Sequence, residues 1–107
     1  MGDQAVAEEV VALFLSETPI QIELLHSAFL RRDFETCRYG VHRMKGATAN
    51  LAAPGMYKLL QKLEAAFLEE SEAKLEALFP QLMLVFSELK SVLLARYPAL
   101  DKASASA

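Results

Sequence analysis

The sequence has little cysteine, glycine and proline and no excess of basic residues. A single cysteine among 107 residues cannot form an internal disulfide, which suits a reducing compartment. The net charge of −3, without any basic cluster, argues against nucleic-acid binding. No uninterrupted run of about 18 apolar residues exists, and the N-terminus lacks the pattern of a secretion signal. We therefore predict a cytoplasmic protein with no membrane span.

The composition also limits the class of protein. Glycine and proline occur four times each, and no segment alternates apolar and polar residues in the way a strand does. Hydrophobic residues make up 53% of the chain, which argues against disorder. The length allows one domain with one core and is short for an enzyme with its own substrate cleft. We predict a single all-α domain.

Apolar periodicity divides the chain into four helices. The first pattern runs from about Gln4 to Arg32. Pro19 lies inside it and should kink or split this helix, with Ser16 or Thr18 capping the restart. Four antiparallel helices joined by short loops form an up-and-down bundle, which is the fold we expect.

Local signals mark the later boundaries. Asp33 can cap a second helix that runs to about residue 51, and Pro54 suits the first turn of a third helix. Ser71 can cap the fourth helix, which Pro80 should bend or divide and Pro98 should end. We assign residues 1–98 to one domain and 99–107 to a flexible C-terminal tail.

The second helix has two faces of opposite character. At about 100° per residue, one stripe carries Arg38, His42, Lys45, Gly46 and Ala49. The opposite stripe carries Cys37, Gly40, Met44, Ala47 or Thr48, and Leu51. Because the apolar stripe should face the core, His42 should point to water, with Lys45 one turn away. An exposed imidazole beside a cation suits a residue that accepts a phosphoryl group and passes it to a partner.

These residues carry a family resemblance. The motif His42-x-x-Lys45-Gly46, then Ala49-Asn50-Leu51, then Leu63-Glu64 resembles the signature of histidine-containing phosphotransfer domains. The similarity extends over residues 10 to 95. Many members place glycine after the Asn-Leu pair, where this chain has Ala52, so the turn between the second and third helices differs.

The resemblance implies a phosphocarrier without an ATP site of its own. Nε2 of His42 would accept a phosphoryl group from a receiver-domain aspartate and pass it to another receiver. Lys45 would neutralise part of the incoming charge, and Glu64 would orient the ring, with Gln61 as a lesser candidate. Gly46 would clear the approach of the partner, with tight helix packing as the alternative explanation. This chain would need no cofactor, because the receiver would supply the Mg²⁺.

Response-regulator receiver domains are the expected partners, with a hybrid sensor histidine kinase as a further candidate. We predict a monomer, although the apolar content leaves a dimerising bundle open. Residues 42–46 fit equally the phosphotransfer region of a chemotaxis-type histidine kinase, whose ATP-binding domain would lie elsewhere. A helical interaction module in which His42 is never phosphorylated remains a second alternative. A metal-binding bundle is a weaker one.

Overall fold

The computed structural model describes residues 3–101. Four α-helices make up most of this range: α1 Asp3–Leu30, α2 Phe34–Ala49, α3 Pro54–Glu69 and α4 Glu72–Arg96, followed by a 3₁₀ turn at Pro98–Leu100. Each helix packs against the next one in the chain, and α1 also touches α4. The predicted all-α up-and-down bundle is confirmed.

The helices begin where the sequence places their caps. One carboxylate oxygen of Asp33 accepts the backbone N–H of Thr36 at 3.3 Å, and the other accepts its hydroxyl at 2.6 Å. The hydroxyl and then the backbone hydrogen bond hold the pKa of Asp33 below its usual value. Ser71 Oγ accepts the backbone N–H of Lys74 at 3.4 Å, and Pro54 opens α3. All three predicted helix starts are confirmed.

The two internal prolines do not divide their helices. α1 continues through Pro19, and α4 continues through Pro80. The predicted restart at Ser16 or Thr18 is therefore wrong. Thr18 is buried within the helix, and Ser16 Oγ donates to the carbonyl of Leu13 as an ordinary helical residue would. A proline removes one helical hydrogen bond, but both halves of each helix bury apolar residues in the same core, which offsets that loss.

Aromatic side chains form the centre of the core. The Phe67 ring is fully buried, and its centroid lies 6.3 Å from that of Phe29, 6.0 Å from Phe34 and 6.1 Å from Phe79. These rings belong to all four helices, so Phe67 connects the whole bundle. Cys37 is also fully buried, and burial raises the pKa of its thiol to about 11, as suits a small core residue.

One face of α2 is buried in the core, and this determines which residues the opposite face exposes to solvent. This inward face consists of Cys37, Val41, Met44 and Thr48. Of the two candidates left open, Thr48 is buried and Ala47 is exposed. The Thr48 hydroxyl donates to the Met44 carbonyl at 2.7 Å, so its burial leaves no donor unpaired. The stripe that holds His42 consequently points outward.

The chain continues to contact the core at Pro98–Leu100. A 3₁₀ turn covers Pro98–Leu100, and Leu100 packs against the core together with Tyr97. Leu100 is half-buried there, so contact with the core continues past residue 98, and the domain boundary itself stays a prediction. Residues 102–107 of the predicted tail lie outside the described residues.

The composition of α4 bears on the prediction that the chain has no membrane span. Within residues 3–101, α4 is the one helix long and apolar enough to cross a membrane, with a mean hydropathy of 1.5 over its most apolar window. This is weak evidence, because the core helix of a soluble protein meets the same criterion. In the bundle α4 contributes Leu75, Phe79, Leu82, Phe86 and Leu93 to the core.

The turn between α2 and α3 holds a strained residue. Ala52 adopts a left-handed conformation with φ of 51°, which costs a non-glycine residue about 1–2 kcal/mol. We predict that Ala52→Gly raises the free energy of unfolding by about 1 kcal/mol, measured by urea denaturation. The matched control is Ala53→Gly, because φ of Ala53 is −107° and glycine there should not stabilise the fold. Equal effects of the two changes would contradict this explanation.

Candidate functional site

The exposed side of α2 carries the histidine that the sequence singled out. His42 lies on the face of α2 that points away from the core, and its side chain is 71% exposed. The prediction that this imidazole points to water is confirmed. Exposure follows from the burial of Val41 and Met44, its close neighbours on the inward face of the same helix.

Glu64 of α3 connects two of the predicted site residues. Its Oε2 lies 3.5 Å from Nδ1 of His42, and its Oε1 lies 2.7 Å from Nζ of Lys45. The Lys45 contact is a short charge-assisted hydrogen bond, whereas the His42 contact is longer than an ideal hydrogen bond. Glu64, rather than the alternative Gln61, is thus the residue that contacts the imidazole.

The position of Glu64 distinguishes the two ring nitrogens. A neutral imidazole carries one N–H, and a nearby carboxylate favours that proton on the nitrogen it faces. Here Glu64 faces Nδ1 of His42, which favours the tautomer in which Nε2 keeps its lone pair. This is the nitrogen farther from the backbone, and it is available to an approaching electrophile.

Lys45 is less exposed than its position on the helix suggests. Only 18% of its side chain is exposed, because Glu64 binds its ammonium group and the Tyr57 ring lies 5.9 Å from Nζ. The hydrogen bond with Glu64 is the main reason that the pKa of Lys45 is raised. Lys45 thus lies one turn from His42, as the sequence placed it, but in the free domain it is already paired with a carboxylate.

Gly46 faces open space. A Cβ atom added at Gly46 would have no heavy atom of the described structure within 4 Å, apart from its own helix and neighbours. Its φ is not positive either, so the backbone does not require glycine. Tight helix packing, the alternative explanation for this glycine, is excluded. Glycine in a helix costs roughly 1 kcal/mol relative to alanine, and the fold of the free domain does not compensate for that cost.

Comparison with known protein families agrees with this geometry. The family model described as the Hpt domain matches residues 9–97. The chain belongs to the Hpt domain family. No curated protein and no solved structure matches. Hpt domains are phosphocarrier modules that take part in histidine phosphotransfer and interact with receiver domains in two-component systems.

The charges of this Hpt domain are segregated along the chain. From Thr36 to Leu63 there are five basic residues and no acidic residue, although the chain as a whole has a net charge of −3. The five are Arg38, Arg43, Lys45, Lys58 and Lys62. The net charge of the whole chain does not show this basic segment, which becomes apparent only when charged residues are counted along the sequence. The α2–α3 hairpin is thus the basic part of an acidic protein.

The ion pair between Lys45 and Glu64 predicts a pH dependence of stability. The hydrogen bond from Lys45 lowers the pKa of Glu64 from its usual 4.5, against the opposing effect of burial. The stabilisation is complete above the unfolded-state pKa and is lost as the pH falls through the lowered folded-state value. We expect Glu64→Gln to lower the urea midpoint at pH 7, and the difference from wild type to shrink below pH 4.5.

The control for this prediction is Glu88→Gln on α4, which removes an exposed carboxylate far along the chain from Lys45. Its urea midpoint should follow that of the wild type at every pH. A Glu64→Gln deficit that persisted unchanged to pH 2 would show that the ion pair is not its cause.

The second histidine of the Hpt domain has a different environment. His26 packs edge-on against Phe79, with ring centroids 5.5 Å apart. Glu23 and His26 have the Glu-x-x-His spacing found in metal-binding bundles. Among the described residues, however, no three His, Cys, Asp or Glu side chains converge as a metal site requires.

Proposed function

We propose that this Hpt domain accepts a phosphoryl group on Nε2 of His42 from the aspartyl phosphate of one receiver domain and donates it to the aspartate of another. The observation that carries the proposal is the exposed imidazole whose Nδ1 faces Glu64. Phosphoryl transfer depends mainly on in-line positioning and stabilisation of charge. The oriented and accessible Nε2 of His42 provides the positioning, and the receiver supplies the Mg²⁺ that stabilises the charge.

In the transfer step, the lone pair of Nε2 attacks the phosphorus atom. An N–P bond forms while the P–O bond to the receiver aspartate breaks, and its electron pair stays on the aspartate carboxylate. The His42 ring becomes positively charged and keeps its proton on Nδ1, where the Glu64 carboxylate stabilises it. The return step reverses these changes: a carboxylate oxygen attacks phosphorus, and Nε2 leaves with the electron pair.

Lys45 supports this step by exchanging partners. In the free domain its ammonium group is bound to Glu64 at 2.7 Å. Lys45 lies one helical turn from His42, so it can turn to the phosphoryl group when that group brings negative charge to the site. Glu64 then remains with Nδ1 of His42. The Glu64 carboxylate thus pairs with Lys45 before the transfer and with the protonated His42 ring after it.

Exposed apolar residues of α1 complete a docking surface for the receiver. Leu13, Ile20 and Leu24 are 58%, 58% and 64% exposed, and helical geometry places them within about 40° of one another. Leu25 follows them and approaches α2 at Gly40, where an added Cβ would lie 3.9 Å from its side chain. Ile20 and Leu24 thus lie on the helix that packs against α2, and they form the apolar part of the proposed receiver surface. Leu13 lies at its edge, because it also lines a hollow with Lys90 and Leu94 of α4.

The test is transfer from receiver domains charged with acetyl phosphate, followed by intact mass of the Hpt domain. We expect one added phosphoryl group that is lost in acid and survives alkali, as a phosphoramidate bond does. Acetyl phosphate without a receiver is the control and should add nothing. Acceptance only from ATP with a kinase domain would favour the chemotaxis-type alternative. Acceptance from no donor would favour the unphosphorylated interaction module.

Gly46 provides a prediction in which stability and function change in opposite directions. Gly46→Ala should raise the free energy of unfolding by about 0.5–1 kcal/mol. Gly46→Leu should slow phosphoryl transfer about tenfold or more, because its side chain stands in the open space where the receiver must approach. Urea denaturation and the rate of transfer measure the two effects.

Gly55 supplies the matched control, because it is also an exposed helical glycine with nothing within 4 Å of an added Cβ. Gly55→Leu should transfer at the wild-type rate. Equal rates for the leucine variants at the two glycines would contradict a clearance role for Gly46.

A further inference from the structure

A shallow hollow of about 640 Å³ lies at the end of the α2–α3 hairpin. Three alanines, Ala49, Ala52 and Ala53, line it together with Tyr57, Lys58 and Gln61. Its surface is mainly apolar, because the methyl groups and the tyrosine ring outweigh the polar ends of the two longer side chains. His42, Lys45 and Glu64 are not among the residues that line this hollow.

The hollow lies close to the phosphotransfer site. Ala49 lies on the same stripe of α2 as His42, seven residues later, which is about 10 Å along the helix axis. Tyr57, at the border of the hollow, has its ring 5.9 Å from Nζ of Lys45. Lys45 in turn is bound to Glu64, which faces the imidazole, so a chain of contacts leads from the border of the hollow to His42.

A receiver that reaches His42 must also cover the hollow. A specific protein interface buries about 800 Å² on each partner, which corresponds to a disc of roughly 16 Å radius. Centred on His42, such a disc includes a hollow at about 10 Å. The position of the hollow therefore favours the docked receiver as its occupant.

Charge and backbone conformation support the same occupant. Lys58 borders the hollow and is exposed, within the segment from Thr36 to Leu63 that has no acidic residue. This charge is complementary to the acidic pocket of a receiver. Ala52 holds a left-handed conformation that glycine would adopt without strain, and its methyl group adds apolar surface to the hollow.

We propose that the hollow binds an apolar side chain of the receiver domain docked over His42, and that this anchor contributes to the choice of receiver. The inference rests on the proposed function. An apolar side chain inserted into a pocket near the centre of an interface is the kind of contact that dominates binding energy. A receiver with a polar residue at the corresponding position would leave the hollow unfilled and bind more weakly.

The test fills the hollow with larger side chains of the Hpt domain itself. Ala53→Leu places a larger side chain in it, and the φ of −107° at this position accepts leucine without strain. Ala49→Leu fills it from the opposite helix. The control is Ala73→Leu, which enlarges an exposed alanine of α4 outside the hollow. The probe is a receiver domain that phosphorylates the wild-type chain, used over a range of concentrations.

Both filling variants should raise the KM for this receiver roughly tenfold, whereas Ala73→Leu should match the wild type. Urea denaturation checks that each variant is folded. Folded filling variants with the wild-type KM would overturn the role of the hollow and leave the phosphotransfer function standing. A wild-type chain that accepts no phosphoryl group would instead remove the proposed function, and this inference with it.

Discussion

Replacing His42 with glutamine is expected to abolish phosphoryl acceptance and to leave the fold intact. The amide of glutamine has no nucleophilic nitrogen, so the rate should fall at least about a thousandfold. The imidazole is 71% exposed, and its contact with Glu64 is 3.5 Å long. Loss of this contact should change the free energy of unfolding by no more than about 0.5 kcal/mol.

Intact mass after incubation with a charged receiver measures the loss, and urea denaturation measures the fold. The matched control is His26→Gln, which removes the other histidine of the chain. This variant should still gain one phosphoryl group. A phosphoryl group found on the His42→Gln variant would place the acceptor at another residue.

Replacing Phe67 with alanine is expected to destabilise the bundle by about 3–5 kcal/mol. The side chain is fully buried, and its ring lies near three other phenylalanine rings that belong to α1, α2 and α4. Its removal would leave a cavity where all four helices meet. Domains of this size are stable by only about 5–15 kcal/mol, so a large part of the stability would be lost.

The control for this change is one residue away. Leu68 belongs to the same helix, but its side chain is 66% exposed. Leu68→Ala should change the free energy of unfolding by no more than about 0.5 kcal/mol. Similar urea midpoints for the two variants would show that the core does not depend on the Phe67 ring.

Local signals were sufficient to predict where helices begin. Asp33, Pro54 and Ser71 act on backbone groups within one turn of themselves, so their effect can be derived from neighbouring residues alone. The prolines at 19 and 80 gave the wrong expectation for a split, because the gain from burying both helix halves depends on distant residues. The contact of Leu100 with the core likewise depends on residues distant in the chain.

The candidate site divides in the same way. The outward direction of His42 followed from the periodicity of α2, which is a property of one helix. The bond of Lys45 to Glu64 joins residues 19 positions apart, and it exists only because α3 packs beside α2. From the sequence we expected Lys45 and Glu64 each to act at His42. Their bond to each other could not be expected from the sequence.

The sequence by itself determined the four helices, their caps, the face of α2 that carries His42, and the motif that resembles the family. Each of these depends on interactions within one or two helical turns. The tertiary structure alone decided that Lys45 is paired and Glu64 shared between two partners. It also decided that Gly46 faces open space and that a hollow lies beside Tyr57. These features depend on how two helices lie against each other, and the packing of the whole core sets that arrangement.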